Sequence, residues 1–321
     1  MIVLALATIA ALALAEGLVR TFDLDWRLIE NLLYYNGVDP PSLQVDENPL
    51  LLYRLKPGRT EYDGYAVGVN ALGARGQEHN AIKPPGVFRI VCVGASNVYG
   101  HLMNDEQTWP AQLEAQFNAE SPGRYEVWNF GTPGYVAAQM AVIAREAVSK
   151  LKPDLVVFAP SNMGPRPFLL GRPVKPLFAK NEQLWRDLFA PRAVDFPPLV
   201  SYERKLCWIE RSRLYRYFAA WRVSRSRYGW GHDHETQNWK SAREFFAWAK
   251  ERTRVCGFIY PGVPASQYDT YFKNTGVPVL ELRADDKPPI YREIHPTAEV
   301  YAWYGQEIAH WLRAQKLVPS L

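Results

Sequence analysis

A serine flanked by small residues follows a short apolar stretch of the sequence. Residues 89–93 are mostly apolar and end at Gly94, Ser96 stands two positions further on, and Gly100 follows it. Small residues around a serine allow a tight strand-to-helix turn that leaves the hydroxyl exposed. Backbone N–H groups at the start of the new helix can then face an anion. Serine also caps helices routinely, so the turn becomes informative only together with other residues.

Three further residues that suit a binding site stand at the ends of later apolar stretches. Gly131 ends the second stretch, where the lack of a side chain lets the backbone approach a ligand and present its N–H group. Asn162 follows the third stretch and adds a side-chain amide, and His295 follows the fifth, just before the last helical pattern. Each has an ordinary structural explanation alone. Together with Ser96, their order at four strand ends is a specific signal for a site.

Five apolar stretches alternate with helical patterns along the chain. The predicted strands are 89–93, 125–130, 154–159, 255–260 and 277–282. The predicted helices are 109–117, 136–150, 237–252 and 297–312. This alternation predicts an α/β fold, a flavodoxin-like three-layer sandwich with a five-stranded parallel sheet in the order 2-1-3-4-5. Ligands of such sheets bind outside the carboxyl ends of the strands, where the four residues above fall.

The N-terminal stretch determines the expected compartment. Residues 2–15 are apolar apart from one threonine, and as a helix they would span about 21 Å, short of the roughly 30 Å hydrocarbon core. Extension through Val19, with Glu16 near the interface, reaches about 27 Å. We therefore expect a transmembrane helix and a domain on the periplasmic or extracytoplasmic side. Two alternatives remain open, a signal peptide cleaved after Ala15 and a core helix of a cytosolic protein.

Composition indicates a globular protein with a locally basic surface. The chain is 48% hydrophobic and 22% charged, which excludes disordered and fibrous classes. The segment 202–230 holds eight Arg or Lys and eight aromatic residues against two Glu. Arginine together with tryptophan suits a membrane headgroup layer or an interface with membrane protein partners. An amphipathic helix with a solvated basic face explains the same residues. No nucleic acid partner is expected for an exported domain.

We expect neither a cofactor nor a metal. The three cysteines, at positions 92, 207 and 256, show neither metal-ligand spacing nor a disulfide framework. His232, His234 and Glu235 form a compact cluster, but a solvated loop before a helix explains them at least as well as a metal site. The chain divides into a membrane anchor at 1–22, a lead-in segment at 23–85 and a main domain at 86–321. A cap insertion at about 163–235, with seven prolines between 163 and 200, interrupts the alternation.

Four segments resemble the signature blocks of SGNH (GDSL-type) hydrolases, in that family's order. They are Gly-Ala-Ser-Asn at 94–97, Asn-Phe-Gly at 129–131, Pro-Ser-Asn at 160–162 and Ile-His-Pro at 294–296. Three more resemble the family's membrane-anchored bacterial branch: Asn-Ala-Leu-Gly-Ala-Arg-Gly at 70–76, Asn-Asp-Glu-Gln-Thr-Trp-Pro at 104–110 and His-Pro-Thr-Ala-Glu at 295–299. The resemblance covers 45–161, 237–262 and 277–315, and it implies the fold predicted above.

The resemblance also implies roles for the residues at the strand ends. Ser96 would be the nucleophile and His295 the base that activates it. The N–H groups of Ser96 and Gly131 and the amide of Asn162 would form an oxyanion hole, in which each donor is worth about 3–4 kcal/mol. The substrate would be an ester, and O-acyl groups on envelope glycans are one class that an anchored, exported serine esterase or acyltransferase would meet.

The chain departs from the family pattern where the catalytic acid belongs. The family has an aspartate three residues before the histidine, and this chain has Arg292. Loss of that acid costs around 10⁴ in turnover in triad enzymes, because the acid orients the imidazole and stabilises its charged form. Glu293 or Asp286 could substitute if the loop turns either toward His295. Two hypotheses therefore stay open: a working hydrolase, and a degenerate SGNH domain that serves as a structural or interaction subunit of a membrane complex.

Overall fold

The computed structural model describes the chain in several ranges. They are 2–25, 42–45, 51, 53–62, 64–160, 212–215, 217–218, 221, 229–261, 269–283, 291–292 and 295–319. The chain forms two compact units. The first comprises Met1–Val38, Val45–Leu52 and Gly164–Gln237, and the second comprises Asp39–Gln44, Tyr53–Met163 and Asn238–Leu321. Two of the predicted site residues, Asn162 and Glu293, lie outside the described residues, as does most of the segment 202–230.

The first unit contains α1, which spans Ile2–Phe22. Its length and apolar composition suffice to cross a membrane, a test that a signal sequence also passes. Only 6% of its most apolar stretch is buried, unlike the core helix of a soluble protein. The Glu16 carboxylate accepts hydrogen bonds from the N–H groups of Arg213 (3.0 Å) and Leu214 (2.8 Å). These contacts cap a helical turn at 213–215, within the segment where the sequence indicates an amphipathic helix.

A pair of short two-stranded sheets precedes the main sheet. Strands β1 (Leu43–Val45) and β2 (Tyr53–Leu55) pair, and β3 (Gly58–Tyr62) forms an antiparallel hairpin with β4 (Tyr65–Val69). A turn follows in which Asn70 Oδ1 accepts from the N–H groups of Leu72 (3.1 Å) and Ala74 (2.9 Å). Gly73 adopts a φ of 80° there, which favours glycine. The Asn70 side chain thus closes the turn, and Arg75, which follows it, pairs with Asn129 of the main sheet.

The main sheet has five parallel strands in the predicted order. These strands are β5 (Phe88–Gly94), β6 (Tyr125–Gly131), β7 (Leu155–Ala159), β8 (Arg254–Ile259) and β9 (Val279–Glu281). Their spatial order is β6-β5-β7-β8-β9, which is 2-1-3-4-5 counted along the chain. Residues 90–93 of β5 are fully buried. A parallel strand covered on both faces needs such a continuous apolar run, which explains why the sequence identified these strands.

Helices cover both faces of the sheet, so the three-layer sandwich is confirmed. In chain order they are α2 (Ser96–Tyr99), α3 (Trp109–Glu120), α4 (Ala137–Leu151), α5 (Gly229–Ala249), α6 (Asp269–Phe272) and α7 (Ala298–Ala314). Helices α3 and α7 share a buried cluster with Leu155 and Val157 of β7. Phe158, which points to the opposite face, contacts Phe245 and Phe246 of α5.

Helix α5 corrects one expectation. Its residues 232–235 were predicted to form a loop before a helix, whereas the helix already begins at Gly229. The run after Gly231 contains neither glycine nor proline until residue 257, so nothing in it stops the helix from extending toward its N-terminus. Cys92 and Cys256 are free and buried, as expected of apolar strand residues. Between β9 and α7, the short strands β10 (Tyr291–Arg292) and β11 (His295–Pro296) form an antiparallel pair.

Candidate active site

The turn between β5 and α2 places Ser96 at the carboxyl edge of the sheet. Ser96 is the first residue of α2, directly after Gly94 and the buried Ala95. A Cβ on Gly94 would lie 2.1 Å from Val98 Cγ2 and 2.8 Å from the Ala159 carbonyl oxygen. Only glycine therefore allows the strand to turn this sharply between α2 and β7, and the sharp turn leaves the serine side chain partly exposed.

His295 lies within hydrogen-bonding distance of Ser96. Its Nε2 atom is 2.9 Å from Ser96 Oγ, although the two residues are 199 positions apart in the chain. Strand β11 holds the histidine immediately before α7, which packs into the main core along most of its length. A neutral imidazole that accepts at Nε2 carries its proton on Nδ1, so this contact has the geometry of a nucleophile and its base.

The surroundings of His295 disfavour its charged form. Burial, together with a smaller effect of the nearby His101 in the same direction, lowers the pKa of His295 from 6.5 to about 4. The His101 ring centroid lies 4.5 Å from that of His295, with 47° between the ring planes. Among the described residues no carboxylate contacts His295. The backbone of Arg292 pairs with that of His295 across the β10–β11 hairpin.

Gly131 lies beside α2, where no other residue fits. A Cβ at this position would lie 2.1 Å from the Tyr99 nitrogen. The Gly131 N–H donates to Asn129 Oδ1 at 2.9 Å, and Asn129 Nδ2 donates to the Val98 carbonyl at 2.9 Å. Asn129 thus ties the end of β6 to α2. Stabilisation of an oxyanion by the Gly131 N–H would require Asn129 to release it.

Arg75 holds the loop that follows α2. The side chain is 1% exposed, and it pairs with Asp105 through Nε at 2.9 Å. Its Nη1 donates to the carbonyls of Tyr99 (2.9 Å) and Gly100 (2.6 Å), and Nη2 donates to that of Met103. The guanidinium also lies over the Tyr99 ring. The lead-in turn therefore supplies a buried cation that satisfies three loop carbonyls next to the candidate site.

Three residues at the site were not singled out by the sequence: Arg75, Asn129 and His101. Arg75 stands inside the lead-in motif and Asn129 inside the second signature block, so both carried a signal that was assigned to the motif as a whole. His101 directly follows the first signature block and shows no pattern of its own. Among the residues that the structure describes, no group of three or more His, Cys, Asp or Glu side chains is arranged to hold a metal ion.

No protein-family model matches the chain, and no curated protein matches it at the required significance. Solved structures do resemble it. One is the psychrotrophic esterase EstA from Pseudoalteromonas sp., in a structure inhibited by monoethylphosphonate, with 10% identity, a TM-score of 0.40, and coverage of 71% of this chain and 97% of EstA. Another is a member of the lipolytic protein G-D-S-L family from Veillonella parvula DSM 2008, with 12% identity, a TM-score of 0.38, and coverage of 69% and 98% respectively.

A third similar structure is LAE5, an alpha/beta hydrolase enzyme from the metagenome of Lake Arreo, with 15% identity, a TM-score of 0.39, and coverage of 73% of this chain and 97% of LAE5. Structures similar to the chain thus include members of the family that its signature blocks resemble. The fold assignment itself rests on the strand order and the layers described above.

Proposed function

We propose that the protein is a serine hydrolase that cleaves O-acyl esters with Ser96 as nucleophile and His295 as base. The observation that carries the proposal is the 2.9 Å contact between His295 Nε2 and Ser96 Oγ at the carboxyl edge of a parallel sheet. Ligands of this sheet type bind at that edge. Attack of Ser96 Oγ on the acyl carbonyl would transfer the hydroxyl proton to Nε2, and the proton would then pass to the departing alcohol.

The second half of the reaction releases the acyl group. Water would lose a proton to Nε2 while its oxygen attacks the acyl–Ser96 ester, which frees the acid and restores the serine; an alcohol acceptor in place of water makes the same step an acyl transfer. The imidazolium that forms in each half is destabilised by burial and, among the described residues, contacts no carboxylate. We therefore expect slower turnover than in enzymes with a complete triad.

The direct test is covalent labelling of the purified protein with a fluorophosphonate, together with hydrolysis of small aryl esters. Wild type should be labelled at one serine, and Ser96→Ala should abolish labelling. His295→Ala should slow labelling by at least a hundredfold, the usual contribution of a positioned base. Ser149→Ala changes an exposed serine of α4 and serves as the matched control, which should label as wild type does. Equal hydrolysis by wild type and Ser96→Ala would defeat the proposal.

The proposed substrates are O-acyl esters, for example those carried by glycans of a cell envelope. The support is the apolar helix α1, which suits an anchored protein whose domain meets envelope polymers. Acetate release from O-acetylated polysaccharides, compared with release by Ser96→Ala, tests this substrate class. Hydrolysis of aryl esters without acetate release from any glycan would support the hydrolase activity and contradict glycan esters as its substrate.

Glu293 remains our proposal for the residue that orients His295. It stands two positions before the histidine in the sequence, and a carboxylate that reached the imidazole from there would replace the family's acid. If Glu293 fills this role, Glu293→Gln should reduce turnover at least tenfold, because the amide cannot stabilise the imidazolium. Unchanged turnover in Glu293→Gln would leave the site with two catalytic residues.

A second candidate function is favoured by the same missing acid. Arg292 occupies the family's acid position, and the Gly131 N–H is bonded to Asn129. A domain degenerate in this way would serve as an interaction subunit of a membrane complex, with the segment 202–230 as its contact with membrane protein partners. In that case wild type and Ser96→Ala would hydrolyse esters equally, Arg292→Asp would restore weak activity, and partners would co-purify from solubilised membranes.

A further inference from the structure

The imidazole of His101 lies against that of His295, and the mechanism above gives it no task. The ring centroids are 4.5 Å apart. His101 follows α2 and Gly100 in the chain. The structure thus brings the Ser96 hydroxyl, the His295 imidazole and the His101 imidazole together. Ring contact at this distance restricts the rotation of the His295 side chain, since either ring would have to move for the other to turn.

The loop that carries His101 is held in a strained conformation. Leu102, its neighbour, has a φ of 58°, in the left-handed region that branched and bulky residues rarely adopt. Such strain persists only where the surrounding structure imposes it, and it concentrates at functional sites. The imposing group is Arg75, which binds the carbonyls of Gly100 and Met103 on the two sides of His101 and Leu102. The position of His101 is therefore determined by a buried ion and its hydrogen bonds.

We infer that His101 is a positioning residue for His295, holding the imidazole in place by ring contact and adding to the burial that keeps it uncharged until Ser96 gives up its proton. This inference rests on the proposed hydrolase function. A carboxylate would orient the same ring through Nδ1 and would favour the charged form. His101 also orients the ring, but by packing. Its electrostatic effect is opposite to that of a carboxylate, because a protonated imidazole repels a second one.

The charges around His295 agree with this assignment. Burial is the main cause of the lowered pKa of His295. Within the described part of the chain, His101 is the titratable group that adds to it, and Ser96 presents a neutral hydroxyl. Six acidic or basic residues lie within ten positions of His295 in the sequence. Glu299 of α7 is described and exposed, and the side chains of the other five lie outside the described set: Asp285, Asp286, Lys287, Arg292 and Glu293. A base kept neutral in this way remains able to accept a proton in acid, where an ordinary histidine is already charged.

Two substitutions separate ring contact from charge in the full-length protein in detergent micelles. His101→Phe keeps a ring of similar size and removes the charge, and His101→Ala removes both. His310→Phe, on the exposed face of α7, is the matched control. The readouts are the titration of the His295 imidazole by NMR, assigned by its loss in His295→Ala, and the pH profile of fluorophosphonate labelling.

We expect His101→Phe to raise the His295 titration midpoint by about half a pH unit or more, a threefold or greater gain in proton affinity, with labelling at pH 7 within about threefold of wild type. His101→Ala should lower labelling about tenfold or more at every pH, and the control should change neither readout. An unchanged midpoint in His101→Phe would overturn the inference. The NMR midpoint decides this even if no variant is labelled, an outcome that would count against the hydrolase function alone.

Discussion

At the scale of single residues, the state of His295 determines what the site can do. The imidazole is largely buried beside a second imidazole, so its uncharged form is favoured. Ser96 can be activated only by an uncharged base, and the charged form that follows lacks a carboxylate among the described neighbours. In the proposed mechanism, His295 is thus available as a base near neutral pH, and the imidazolium that it forms is less stable.

The pH dependence of labelling should reveal this state directly. A histidine with a pKa of 6.5 is about nine-tenths protonated at pH 5.5, whereas His295, with its pKa at about 4, is protonated to only a few per cent. Because the proposed mechanism uses the neutral imidazole, the labelling rate should stay level from pH 7 down to about pH 5. It should then fall through a midpoint near pH 4. A midpoint near 6.5 would show that burial does not act on His295 as described.

Arg75 should be irreplaceable even by lysine. Lysine keeps the charge, but one ammonium cannot donate to Asp105 and to three loop carbonyls at once, so buried acceptors would be left unpaired. We expect Arg75→Lys to lower the free energy of unfolding by about 2–4 kcal/mol and the labelling rate about tenfold. Urea unfolding in detergent gives the first quantity. Arg59→Lys, an exposed arginine, should stay within about 0.5 kcal/mol of wild type.

At the scale of elements, the two ends of β5 have different tasks. The carboxyl end turns into α2 and carries the serine. The opposite end carries Arg89, which is fully buried and binds Glu126 and the carbonyls of Asn80, Ala81 and Leu151. One guanidinium thus joins the lead-in segment, β6 and the end of α4. The protein thus has two buried arginines of this kind, Arg75 near the candidate site and Arg89 at the opposite end of β5.

This arrangement predicts that stability and reactivity can be separated. Arg89→Lys should lower the free energy of unfolding by about 2–4 kcal/mol, for the same reason as Arg75→Lys, because several buried acceptors lose their donor. The labelling rate of the folded protein should stay within about twofold of wild type. Arg124→Lys, at an exposed position, is the control. A large fall in labelling without loss of folded protein would mean that the two ends of β5 are coupled.

At the scale of the whole molecule, α1 is long and apolar enough to cross a membrane. Its polar end is bound within the first unit: Glu16 accepts from Ser212, Arg213 and Leu214, and the Arg213 guanidinium pairs with Asp23 and Asp25. The hydrogen bonds to Asp25 and Asp23 raise the pKa of Arg213 above its ordinary value, so this cation stays charged at any working pH. The contacts link the end of α1 to the inserted segment.

Deletion of residues 1–22 should move the protein from the membrane pellet to the soluble fraction, because about 27 Å of apolar helix is what would hold it there. Arg213→Gln removes the ion pairs to Asp23 and Asp25 but keeps the helix, so this variant should remain in the pellet after alkaline carbonate extraction. Fractionation followed by immunoblotting measures both. A mature chain whose N-terminus is Glu16 would show instead that α1 is a cleaved signal.

The amino-acid sequence by itself determined the elements and the edge at which the site would lie. Strands β5 to β8 lie within one or two residues of the predicted ranges, because a strand buried on both faces must be continuously apolar and this property is local. The order of strands and helices then places the carboxyl end of every strand at the same edge of the sheet. The predicted start of α5 was wrong: the sequence placed a loop at residues 232–235 and the helix from 237, whereas the helix begins at Gly229.

Only the tertiary structure decided how the residues at that edge meet. The contact between His295 and Ser96, the ring of His101 against the base, and the hydrogen bond from Gly131 to Asn129 join side chains and backbone from different strands and loops. Periodicity reports which face of an element is buried, and it carries no information about which atoms lie 3 Å apart after packing. Those distances follow from sheet twist, helix packing and loop strain acting together, so they exist only in the folded chain.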